Sequence, residues 1–137
     1  MTTILVADDS PDDVLLLKWA LSRSEVPHRF VVAGDGVEAQ NYLERLGRAS
    51  FRQSHPAPDL IFLDLNMPRR NGLQLLQWLN RHSEFKDIPV VMLSTCAHPE
   101  DISKAYELGA LSFLPKPPDI PTVEGMLRTV AEMTVGK

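Results

Sequence analysis

Asp8, Asp9, Asp64, Ser94 and Lys116 each stand just past a short apolar run, and their types together suit one chemistry. Two adjacent carboxylates facing a third repel one another when desolvated, so at least one pKa must rise unless a cation sits among them. Oxygen-only ligands, completed by backbone carbonyls and water, suit Mg²⁺, which commonly bridges one or two carboxylates to a phosphate. Ca²⁺ fits less well, because no EF-hand spacing is present. A carboxylate such as Asp64 can form an aspartyl phosphate when a metal offsets the charge of the donor. Lys116 would then pair with a phosphoryl oxygen, and the Ser94 hydroxyl would donate a hydrogen bond to another.

Such residues meet only if the runs before them are neighbouring strands. Ile4-Leu5-Val6-Ala7, Leu60-Ile61-Phe62-Leu63, Val90-Val91-Met92-Leu93 and Leu111-Ser112-Phe113-Leu114 are short enough to be buried parallel strands. Phe30-Val31-Val32-Ala33 supplies another. In an open α/β sheet the carboxyl edge of the strands is where ligands bind, so the polar residues would converge there.

Between the strands lie segments with helical spacing, which predicts five βα units. The first helix is expected from Pro11 or Asp12 to about Ser24, with Asp12 and Asp13 complementing the helix dipole and Val14, Leu17 and Leu21 facing inward. Ala39, Tyr42, Leu43 and Leu46 mark the second helix, and Leu75, Leu76 and Leu79 the third. A fourth beginning near Pro99 should bury Ile102, Ala105 and Tyr106, and the last uses Ile120, Val123, Leu127 and Val130. Residues 48–58, with two prolines and no periodic apolar pattern, read as an exposed loop.

The 137 residues suit one domain, 1–137, with 44% hydrophobic and 23% charged residues. Eighteen acidic against 14 basic residues, a net charge of −4, argue against direct nucleic-acid binding. No apolar run approaches the roughly 18 residues a membrane span needs. The lone Cys96 and the absence of a cationic leader fit a cytoplasmic protein.

The motifs Asp8-Asp9, Asp64-Leu65-Asn66-Met67-Pro68, Gly72, Ser94 and Lys116-Pro117 occur in the order found in response regulator receiver domains of two-component systems, which the chain resembles over nearly its whole length. The resemblance implies a doubly wound (βα)5 flavodoxin-like fold with a parallel sheet ordered 2-1-3-4-5. It implies phosphoryl transfer from a sensor histidine kinase to Asp64, with Mg²⁺ held by Asp9, Asp64 and the Asn66 backbone carbonyl and assisted by Asp8. Phe113 occupies the aromatic switch position, its ring turning inward as Ser94 moves toward the phosphoryl group. A cis Lys116-Pro117 bond is also implied. The opening Asp-Asp-Ser-Pro-Asp-Asp, the Asp35–Ala39 stretch and the long loop before the third strand resemble the single-domain regulators that serve bacterial phytochromes.

On this reading the chain is no enzyme but a phosphoacceptor switch that catalyses its own phosphorylation and dephosphorylation. It would signal by protein contacts through its fourth helix, fifth strand and fifth helix, and family analogy admits a homodimer. Two other classes compete. A phosphorylation-independent adaptor would bind its partner indifferently to Asp64. A Mg²⁺-dependent aspartyl-phosphate phosphatase would need a second acid two residues after Asp64, where Asn66 stands. Trp19 and Trp78, beside helical apolar stripes, read as core or rim packing. Arg69-Arg70 reads as a solvated pair beside Asp64.

Overall fold

The computed structural model describes residues 1–135. Five strands, β1 (Thr2–Ala7), β2 (His28–Ala33), β3 (Leu60–Asp64), β4 (Val90–Ser94) and β5 (Ser112–Pro115), alternate with helices. These are α1 (Pro11–Ser22), α2 (Gly36–Arg45), α3 (Ala49–Ser54), α4 (Gly72–Asn80), α5 (Pro99–Glu107) and α6 (Ile120–Val135). All strand pairs are parallel and the sheet runs β2-β1-β3-β4-β5, the expected flavodoxin-like order. β1, β3 and β4 are buried throughout, as strands covered on both faces must be.

Alternation of side chains along each strand divides the core in two. Leu5, Ala7, Ile61 and Leu63 point to the face covered by α2, α4 and α5. Ile4, Val6, Leu60 and Phe62 point to the face covered by α1 and α6, where Val14, Leu17, Leu21, Val123, Leu127 and Val130 are buried. Helix starts follow local chemistry. Ser10 accepts a hydrogen bond from Asp13 N and Pro11 occupies the first turn of α1, Asp35 accepts from Glu38 N, and Asn71 and Gln74 form a reciprocal capping box on α4.

Three sequence expectations need correction. The 48–58 segment is not all loop: α3 forms without a buried residue, held by Phe51 stacked on His55 at 3.8 Å and by Tyr42, whose hydroxyl donates to the Pro56 carbonyl. A single aromatic anchor leaves no periodic stripe for the sequence to display. Ile102 and Tyr106 are 37% and 49% exposed, because α5 packs over the edge strand β5 and only its Ala105 is buried. Trp19 is 53% exposed and lies under the Arg23 guanidinium, 5.2 Å from the ring centre, so it is surface and not core.

Candidate functional site

Parallel strands bring their carboxyl ends to one edge. Asp8 and Asp9 follow β1, Asp64 ends β3, Ser94 ends β4 and Lys116 follows β5. Register places Ala7 beside Leu63, Asp64 beside Leu93, and Ser94 beside Pro115. One carboxylate oxygen from each of Asp8, Asp9 and Asp64 lies within 4.8 Å of the others; Asp8 and Asp64 are buried and Asp9 is exposed. The turns leaving the strands fix two of these groups, since Asp8 Oδ1 accepts from Ser10 N at 2.9 Å and Asp64 Oδ1 from Asn66 N at 3.2 Å. α4 begins hard against Asp64: a Cβ on Gly72 would lie 2.5 Å from the Asp64 carbonyl oxygen, so only glycine fits.

Lys116 reaches into the same pocket, its side chain 6% exposed. Its Nζ lies 2.8 Å from Asp8 Oδ2, 3.0 Å from Asp13 Oδ2 and 3.2 Å from Asp64 Oδ2. The Lys116 amide donates to the Ser94 carbonyl at 3.0 Å, and the following peptide to Pro117 is cis. Burial pushes the Asp64 pKa up to about 6; the Lys116 charge pulls it down, but the neighbouring Asp8 charge adds to the rise. Burial alone would lower the Lys116 pKa, and the hydrogen bonds to Asp8 and Asp13 with the Asp64 and Asp8 charges outweigh it, holding the ammonium charged far above neutrality.

A buried carboxylate with a raised pKa next to two more, balanced by one ammonium, is a site short of positive charge. The donor set is hard oxygen throughout, which fits a divalent cation. A divalent cation and an ammonium around one desolvated carboxylate can hold an incoming dianion against repulsion.

The remaining residues sit around this centre. The buried Ser94 hydroxyl faces its own turn, donating to the Cys96 carbonyl at 2.7 Å and accepting from Cys96 N at 3.1 Å. Phe113 is partly buried in β5 and its amide donates to the Tyr106 hydroxyl at 3.1 Å. Asn66 is exposed in the loop after Asp64. Arg69 is solvated as expected, its side chain 59% exposed, but it is also paired: its Nε and Nη2 both bond Asp35 Oδ2, at 3.0 and 2.7 Å, tying the loop after β3 to the start of α2.

Asp13 escaped sequence reasoning as a site residue, having been assigned to the helix dipole. The signal was its phase: Asp13 stands four residues before Leu17 and seven before Ala20, both buried, so it borders the inward stripe of α1.

Residues 4–128 match the response regulator receiver domain family. Response regulator Rcp1 of Synechocystis sp. is 34% identical over 113 residues, 82% of this chain and 75% of that protein. The crystal structure of the Mn²⁺-bound form of Rcp1 superposes with a TM-score of 0.77 at 30% identity, over 95% of this chain and 91% of that one. The phosphorylated cyanobacterial phytochrome response regulator RcpA gives a TM-score of 0.77 at 32% identity, over 96% and 91%. A probable cyclic di-GMP phosphodiesterase of Vibrio cholerae is 30% identical over 127 residues, 93% of this chain but 26% of that protein. That last match corrects the expectation that the chain is no enzyme and acts only on its own phosphoryl group. The same module occurs inside a much larger protein named for an enzymatic activity, so the module does not mark a non-enzyme, and self-catalysed phosphorylation and dephosphorylation do not follow from it.

Proposed function

The chain belongs to the response regulator receiver domain family, and from that premise we propose that residues 1–137 act as one receiver domain, taking a phosphoryl group on Asp64 from a sensor histidine kinase and signalling through protein contacts. The observation that carries the reading is the buried Lys116 ammonium, 2.8 Å from Asp8 and 3.2 Å from Asp64, beside the three-carboxylate group. Asp64 is the proposed acceptor because it closes the buried strand β3, with one oxygen held by the Asn66 amide at 3.2 Å and the other facing Lys116 at 3.2 Å.

In the transfer an Asp64 carboxylate oxygen forms a bond to phosphorus while the bond from phosphorus to the kinase imidazole nitrogen breaks, and the electron pair leaves on the imidazole. Asp8, Asp9, Asp64 and the Asn66 carbonyl would hold Mg²⁺, which neutralises charge on donor and acceptor. Lys116 exchanges its Asp64 contact for a phosphoryl oxygen. The Ser94 hydroxyl leaves the Cys96 carbonyl to donate to another, opening room into which the Phe113 ring turns. Differential contacts of this kind shift an existing equilibrium between conformations.

Since Rcp1 and RcpA are response regulators and RcpA is named for a phytochrome, a bacterial phytochrome kinase is the proposed donor. Such a partner would place this chain in the cytoplasm. The face of α5, β5 and α6, where Ile102, Tyr106 and Leu111 are exposed, is the proposed readout and homodimer surface. No helix among the described residues is long and apolar enough to cross a membrane.

The test is radiolabel transfer from a panel of phosphorylated histidine kinases, phytochrome kinases included, with Mg²⁺ present. Base-labile label on the wild-type chain and none on Asp64→Asn is expected. Equal labelling of the variant would remove Asp64 from the acceptor role.

A further inference from the structure

We infer that Asp13 is a positioning residue that competes for Lys116 and so weakens the hold of the site on an anionic group carried by Asp64. The inference rests on the phosphoacceptor reading and adds a control to it. A lysine ammonium has three N–H donors. Here three carboxylates surround it, Asp8 at 2.8 Å, Asp13 at 3.0 Å and Asp64 at 3.2 Å, and the side chain is 6% exposed.

The three contacts are not equivalent. Asp8 and Asp64 belong to the group that can hold a metal ion; Asp13 does not. Asp13 reaches Lys116 from the first turn of α1, across 103 residues of sequence, with its own side chain 33% exposed. When Asp64 carries an anionic group, the negative charge moves outward onto that group and the ammonium must follow it. Asp8 belongs to the metal-holding group, so a bound cation offsets its charge. Asp13 stays on the helix and keeps drawing the ammonium toward α1, and it adds a further negative charge next to an incoming dianion.

The experiment measures beryllofluoride, a phosphoryl mimic that coordinates an aspartate carboxylate, by calorimetry and fluorine NMR at saturating Mn²⁺. Asp13→Asn should bind it about three- to fivefold tighter than wild type, the scale of a partly exposed ion pair. Mn²⁺ affinity measured alone should change by less than about twofold. Asp12→Asn is the matched control: Asp12 is exposed in the same turn and has the same charge, so it alters the helix dipole alike without touching Lys116. Its beryllofluoride affinity should stay at the wild-type value, as should that of Asp13→Glu, which keeps the charge.

Unchanged or weaker binding in Asp13→Asn overturns the inference, and so does equal tightening in Asp12→Asn, which would make the effect a general field. A Mn²⁺ affinity that falls as far as beryllofluoride affinity rises overturns it for the same reason. Should Asp13→Asn fail to fold, Asp13→Ser is read by the same criteria. If wild type takes no beryllofluoride at Asp64, the phosphoacceptor reading itself fails and takes this inference with it; wild-type binding with an indifferent Asp13→Asn removes the Asp13 role alone.

Discussion

Helices α4 and α5 have nine residues each and cover the same face of the sheet, yet they are held very differently. α4 buries Gly72, Leu75, Leu76 and Leu79, and its first residue lies against the Asp64 backbone. α5 buries Ala105 alone, and its other large apolar groups, Ile102 and Tyr106, stay half open to water. The cause is the strand beneath. β3 and β4 are buried along their whole length, whereas the edge strand β5 is only partly covered. One flank of the candidate site is thus fixed to a tight core and the other, which carries Lys116 and Phe113, to a loosely packed edge. A site whose acceptor is rigid and whose ammonium hangs from a yielding strand can convert a local charge change into movement on one side only.

The widest gap should appear on truncating one apolar residue from each helix. Leu79→Ala opens a cavity in the tight side and is expected to cost about 3 to 5 kcal/mol in urea unfolding. Ile102→Ala removes side-chain area that water already reaches and should cost below about 1 kcal/mol. Comparable losses from the two would abolish the distinction between the flanks.

Charge at the tight side gives the next effect. The folded pKa of Asp64 is pushed up to about 6 from an ordinary 3.8. Raising a carboxyl pKa means the folded chain binds the proton more tightly than the unfolded one, so the stability contribution is complete below about pH 4 and is lost as pH rises through about 6. The loss amounts to at most about 3 kcal/mol at neutral pH. In chelator, Asp64→Asn should therefore match wild type near pH 4 and exceed it progressively up to pH 7. Mn²⁺, which favours the ionised carboxylate, should return the lost stability to wild type but not to the variant. Parallel pH curves for both proteins would show that Asp64 is not the destabilised group.

Gly72→Ala tests the contact that makes this flank tight. The added Cβ would stand 2.5 Å from the Asp64 carbonyl oxygen and 2.8 Å from Met92 Cε, and the first of these is backbone that cannot step aside. A loss of about 2 kcal/mol is expected, with weaker Mn²⁺ binding because the Asp64 strand end must move. Full retention of both would mean that α4 can slide outward freely.

The tight flank was also the more legible in sequence. Leu75, Leu76 and Leu79 repeat with helical spacing because they are all buried, and the runs before Asp8, Asp64 and Ser94 are unbroken apolar segments because β1, β3 and β4 are covered on both sides. Once the strands are parallel, the shared edge for their terminal residues follows from geometry. The loose flank misled: Ile102 and Tyr106 have the spacing of an inward stripe, but periodicity does not say whether the strand below is central or at the edge. α3 was invisible because Phe51 alone anchors it, and the Asp13 contact was hidden because an acid in a first helical turn has a sufficient local explanation. Asp35 with Arg69 was beyond pattern reading, being a pair 34 residues apart made by two loops.

The smallest predicted effect probes the loose flank at the hydrogen bond that ties α5 to β5. Tyr106 is half exposed, and its hydroxyl accepts from the Phe113 amide at 3.1 Å. Tyr106→Phe deletes the acceptor but leaves the ring, and water can replace it at an exposed position, so global stability should fall by less than about 1 kcal/mol. The local consequence is confined to the edge strand. Without the hydroxyl the Phe113 amide should exchange with solvent deuterium about fivefold faster, the kinetic image of that same sub-kilocalorie opening energy, while the amides of Leu63 and Leu93 in the covered strands keep their rates. Unaltered exchange at Phe113 would mean that β5 is held by β4 alone, and the looseness of this flank would then belong to the helix and not to the strand that carries Phe113 toward Lys116.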